Sequence, residues 1–74
     1  MKGNEAIEVL KVIYCMGFNE FARALNVDLS DEFREEYWLN KFEALRKNMF
    51  VGLCDLDNEK QNLLWDYAKN KYNK

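Results

Sequence analysis

The stretch Asp31 to Met49, DEFREEYWLNKFEALRKNM, decides the fold. At about 100° per residue its apolar side chains fall on two lines, Trp38, Phe42, Leu45 and Met49 along one, Phe33, Tyr37 and Ala44 along the other. A helix with two apolar faces needs two neighbours. The remainder of a 74-residue chain gives limited cover, so the second neighbour is expected to be another molecule. Ser30 is a good N-cap for this helix, Asp31, Glu32, Glu35 and Glu36 fill its first turns, and Arg46 and Lys47 its last, which matches the helix dipole at both ends. Glu43 and Lys47 have the spacing of a favourable i,i+4 pair.

On the N-terminal side, Asn4 is placed to cap a helix whose apolar positions Ile7, Leu10, Tyr14, Gly17, Phe21, Ala24 and Leu25 alternate by three and four. The phase runs through Gly17, so one helix over about 4–26 is expected, with the glycine on the seam where a partner helix can approach closely. The competing reading breaks the helix at Gly17 and lets Asn19 cap a second, short one. Val27 to Ser30 is then a short connection.

On the C-terminal side, Phe50 to Leu56 reads as a connection whose apolar residues tuck under the bundle, with Gly52 stopping the central helix. Asp57 caps a last helix to about Tyr72, and Lys69, Lys71 and Lys74 suit its C-terminal end. Leu63, Leu64, Trp65, Tyr67, Ala68 and Tyr72 cover more than half its circumference, again more than one partner hides. With no proline, linker, repeat or strand alternation, the expected fold is all-α. It is a small antiparallel three-helix bundle, four helices if the first breaks at Gly17, forming one domain over 1–74.

A core of this size yields about 3 to 5 kcal/mol, so oligomerisation is the expected support. Cys15 and Cys54 make no disulfide framework and read as small buried apolar residues of a reducing cytosol. The opening MKGNEAIEVLKVIYCMGFNE places Glu5, Glu8 and Lys11 where a secretory signal needs an apolar core, and no apolar run approaches the length of a membrane span. The expected location is cytoplasmic, without membrane association. Net charge is −2, from 11 basic and 13 acidic residues, which supplies no bulk attraction to phosphate backbones. Hydrophobic residues are 49% and aromatics 15% of the chain, far too apolar for disorder. The wealth of Lys, Asn, Tyr and Phe, with little Arg, is what AT-rich coding produces, as in a low-GC bacterium, a phage or a marine microbe.

The chain has no histidine, so the commonest general base and metal ligand is missing. Ser30, the only serine, is explained by capping, and neither cysteine has a close cation to activate it. Asp55, Asp57 and Glu59 alternate as calcium loops begin, but Lys60 replaces the glycine such a loop requires, and Leu63 to Trp65 belong to a helix core. No metal or cofactor is therefore expected. The acidic patch Asp31, Glu32, Glu35 and Glu36 contains like charges at i,i+4, which suggests a binding surface for a basic partner before an active site. Phe21 to Leu45 has the helix, short turn, helix outline of a DNA-binding motif, yet those four carboxylates stand where the second helix would meet phosphate. A nucleic-acid regulator would have to use Lys41, Arg46, Lys47 or the Lys69 to Lys74 tail.

The expected function is accordingly a non-enzymatic protein–protein interaction module that self-associates or docks on a larger protein. Trp38, Phe42, Trp65 and Tyr72 are its interface aromatics, and an accessory protein of a phage or mobile element fits the size and charge. The alternative is a helix-turn-helix-like nucleic-acid-binding regulator.

Overall fold

A computed structural model describes residues 3–73 and shows five helices: α1 Gly3–Cys15, α2 Phe18–Leu25, α3 Glu32–Lys47, α4 Met49–Cys54 and α5 Asn58–Tyr72. Among the described residues there is no strand, and the all-α class holds. The helix count exceeds the expected three or four because two apolar stretches each divide.

The first division lies at Met16 and Gly17. Met16 N–H donates to Ile13 O at 3.4 Å, while Gly17 is extended (φ −83°, ψ 172°) and its carbonyl accepts from Phe21 N–H at 2.9 Å, opening α2. The unbroken helix therefore gives way to the competing reading, with Gly17 rather than Asn19 in the capping position. Breaking here resets the helical phase. Val9, Ile13 and Met16 of the first segment and Phe21, Ala24 and Leu25 of the second all become buried, which a single straight helix with Ile7 and Tyr14 on its seam does not achieve. Gly17 makes no close helix contact: a Cβ there would meet nothing within 4 Å. Asn4 lies inside α1 rather than before it.

Asn26 ends α2 in the left-handed region (φ 56°), where its amide donates to Arg23 O at 3.1 Å and that of Val27 to Ala22 O at 3.2 Å. Asp28 then organises the turn by accepting from Ser30 N–H at 2.9 Å. The N-cap of α3 is consequently Asp31, which accepts from Arg34 N–H at 2.9 Å, and not Ser30.

The second division follows Lys47. Asn48 leaves helical geometry (φ −150°, ψ 105°) and its side chain accepts from Val51 N–H at 3.3 Å, so one residue ends α3 and caps α4. The expectation that Gly52 stops the central helix fails. Gly52 lies inside α4, buried against Leu45. Of the expected connection, Leu56 is buried and Leu53 packs on the core, but Phe50 and Val51 face outward. Asp57 caps α5 as expected, accepting from Lys60 N–H at 2.8 Å.

The core gathers Val9, Ile13 and Met16 of the first segment, Phe21 and Leu25 of α2, Leu45 of α3, Leu56, and Leu64 and Ala68 of α5. Phe21 and Phe42 meet at 5.3 Å between ring centroids, a tilted pair that joins α2 to α3. Polar ties close the periphery. Gln61 donates to Leu53 O at 2.7 Å and Leu56 O at 2.9 Å, holding α5 to the end of α4, and Lys60 donates to Leu25 O at 3.2 Å. No helix among the described residues is long and apolar enough to cross a membrane.

Candidate interaction surface

Two helices keep an apolar face that the core does not use. On α1, Val9, Val12 and Ile13 point inward, whereas Ile7, Leu10 and Tyr14 lie more than a quarter-turn round the helix. This second face and the start of α4 form the walls of a groove of 290 Å³, lined by Ile7, Leu10, Lys11, Tyr14, Cys15, Met49 and Phe50. Its wall is apolar apart from the Lys11 side chain, which pairs with Glu8 at 3.2 Å. Arg46 lies beside it, its guanidinium 5.2 Å from the Tyr14 ring centroid and 5.6 Å from that of Phe42, while it donates to Met16 O at 3.4 Å. Phe50, at the groove's edge, is 70% exposed.

On α3 the two lines of side chains diverge as the periodicity requires. Leu45 is buried and Trp38, Phe42 and Met49 pack on the core, while Phe33 is 87% and Tyr37 53% exposed. Tyr37 is nonetheless held in place, edge-on to Trp38 at 5.1 Å and under Lys41 at 5.2 Å. The aromatics singled out from sequence thus divide. Trp38, Phe42 and Trp65 are half-buried against the core, and Tyr72 is exposed at the end of α5. Among the described residues the outermost apolar side chains are Phe33, Phe50 and Val51. Phe33 belongs to the second apolar line of α3; the exposure of Phe50 and Val51 departs from the expected tucked-in connection because the segment forms α4, which buries only its Gly52 side.

Cys15 and Cys54 are free and exposed, which corrects their reading as buried residues: Cys15 lines the groove, and Cys54 lies in the last turn of α4 opposite the buried Gly52. The acidic residues Asp31, Glu32, Glu35 and Glu36 are all exposed. Asp31 is occupied as a cap and lies 3.5 Å from Arg34, which also binds Asp28 at 2.9 Å. Glu32, Glu35 and Glu36 have no cation partner among the described residues, and the Glu43–Lys47 pair suggested by spacing is not formed.

Of the cations that a nucleic-acid reading requires, Lys47 and Lys69 have no ionic partner among the described residues and three others are engaged. Lys41 binds Asp55 through both its carbonyl (3.2 Å) and its carboxylate (3.4 Å), Arg46 is stacked on aromatic rings, and Lys71 is bonded to Glu20. Lys74 lies outside the described residues. With Asp55 held by Lys41 and Asp57 capping α5, two acids of the calcium-like spacing have structural partners.

Glu20 is the electrostatic centre of the α2–α5 junction. It accepts hydrogen bonds from Lys71 and from Tyr67 Oη (2.7 Å), which lower its pKa, the Lys71 bond most. The same bonds raise the pKa of Tyr67 and of Lys71. This triad fastens two helices together, and Lys71 also lines a groove of 270 Å³ with Glu8, Lys11, Val12, Cys15 and Tyr72. Compared with protein-family models, with curated proteins and with solved structures, the chain matches none.

Proposed function

We propose that this protein is a non-enzymatic interaction module, a cytoplasmic helical bundle that self-associates or docks on a larger protein through apolar surface left outside its core. The observation that carries this reading is the exposure of Phe33, Tyr37, Phe50 and Val51 around a core that is already closed by Phe21, Leu25, Leu45 and Leu64. Single exposed apolar residues are ordinary; aromatic side chains on second faces of two amphipathic helices are the composition of interfaces. Three longer helices, α1, α3 and α5, run antiparallel in this reading and form the scaffold, and α4 extends the apolar rim. The unpaired carboxylates of α3 orient whichever surface arrives, through attraction to cations. An accessory protein that acts by covering a site on another protein fits the small size and the net charge of −2.

The test is a pair of measurements on wild type beside Phe33→Ser and Phe50→Ser. Melting temperature should rise with protein concentration if the chain self-associates. Affinity capture from native lysate should yield a protein that one of the two variants loses if it docks elsewhere. Melting independent of dilution, together with identical captures by all three proteins, refutes the reading.

A further inference from the structure

We propose that the outer face of α3 closes on a second copy of this chain, the two α3 helices packing antiparallel about a two-fold axis. The inference rests on the self-association half of the proposed function and names its surface. Taking Phe33 as the origin and about 100° per residue, Tyr37, Asn40, Ala44 and Lys47 all fall within about 40° of it, and Glu36 within about 60°. Exposure of Phe33 and Tyr37 shows that this face points away from the core.

Charge along the face is self-complementary. Glu36 near its start and Lys47 at its end are exposed, and neither has an ionic partner among the described residues. Eleven residues of helix separate them by about 16 Å, so one copy cannot pair them. In an antiparallel arrangement that sets Glu36 opposite Lys47 of the second copy, the symmetry makes the same pair twice. That register places Glu43 opposite the neutral Asn40 of the second copy, so no carboxylate meets a carboxylate. It also carries Phe33 to the end of the second copy's α3, where α4 begins and Phe50 and Val51 (60%) are exposed. The cations on the other flank, Arg34 and Lys41, are already neutralised by Asp28 and Asp55 and do not repel their counterparts. A uniformly basic partner would satisfy Glu36 but collide with Lys47. A second copy satisfies both, and antiparallel helix dipoles favour the arrangement.

Sedimentation equilibrium across a dilution series decides the matter. Wild type should dimerise. Glu36→Lys and Lys47→Glu should each raise Kd about tenfold, since each breaks two symmetric pairs, and the double variant should return to within about threefold of wild type. Phe33→Ser should raise Kd at least about a hundredfold. None of the three side chains is needed for folding, and unchanged circular-dichroism melts of the dilute variants verify that. A double reversal no better than the singles, or a Phe33→Ser protein that dimerises like wild type, overturns the inference while leaving self-association through another face standing. A wild type that stays monomeric up to about 1 mM overturns it and removes self-association from the proposed function as well.

Discussion

Gly52 lies so close to Leu45 that a Cβ at position 52 would come within 2.3 Å of the Leu45 Cα and 2.7 Å of its backbone nitrogen. The obstructing atoms are backbone, so no rotamer change relieves the clash. This contact lets α4 fold back directly onto α3 after the single residue Asn48, and it gives the glycine a packing role in place of a stop signal. Gly52→Ala should therefore destabilise the protein by about 2 to 4 kcal/mol, well beyond the gain in helix propensity. A urea titration with an unchanged midpoint would show that α4 does not pack this way.

Gly17 makes the opposite prediction. Its φ is negative, its Cβ direction is open, and it caps α2 without any side-chain oxygen to accept from the first amides. Gly17→Ser supplies that acceptor and restricts the unfolded chain, so stability should rise by about 0.5 to 1 kcal/mol. In a domain of this size that is a gain of several degrees in Tm, roughly 3 to 8 °C, which calorimetry resolves. A lower Tm would mean that the helix does not begin at residue 18.

These two glycines also show how much of the fold was legible. Periodicity placed α5 nearly to the residue, because its acidic cap and cationic end are local signals. It located α3 but not its ends, whose cap shifted from Ser30 to Asp31 and whose stop shifted from Gly52 to Asn48. The divisions at Gly17 and Asn48 are tertiary decisions. In the first, an apolar phase that continues through a glycine was outweighed by the burial of Met16 and Phe21 once the chain turns. In the second, an asparagine that looks neutral in a helix serves two ends at once. The exposed surface was legible in kind, since α3 had more apolar perimeter than one neighbour covers. It was not legible in detail, because spacing does not say which of two apolar lines faces inward.

Acid should weaken both the α2–α5 junction, through Glu20, and the turn that follows α2, through Asp28. Glu20 is held below the ordinary carboxylate range by Lys71 and Tyr67, and Asp28 is likewise lowered by Ser30, then Arg34. For a lowered carboxyl the stabilisation is complete above its unfolded value and is lost as pH falls through the folded one. Stability should thus be level from neutral pH to the upper edge of carboxylate titration and decline below it. Tyr67 and Lys71, both raised by their bonds to Glu20, set the alkaline limb: their contribution is complete below their unfolded values and is lost as pH climbs through the elevated ones. Glu20→Gln should flatten part of the acid decline and cost about 1 kcal/mol at neutral pH, a figure kept small by solvent screening of a partly exposed group. Chemical denaturation of both proteins at several pH values makes the comparison; parallel acid profiles would exclude Glu20 as a contributor.

Removing Trp38 and removing Phe33 should have contrasting consequences. Trp38 packs against the core, meets Tyr37 edge-on and lies under Lys60, 5.9 Å from its ring centroid, so Trp38→Ala leaves a gap that its neighbours do not close. The expected loss is about 2 to 3 kcal/mol, a large share of what a chain of this length commands. Phe33 touches little of its own chain, and Phe33→Ser should alter the stability of the dilute protein by less than about 0.5 kcal/mol. Denaturant midpoints at low concentration separate the two. If they agree, Trp38 contributes no more to the fold than Phe33 and is not a core residue; if they diverge as expected, Phe33 and not Trp38 is the position at which a lost contact between molecules is readable without a lost fold.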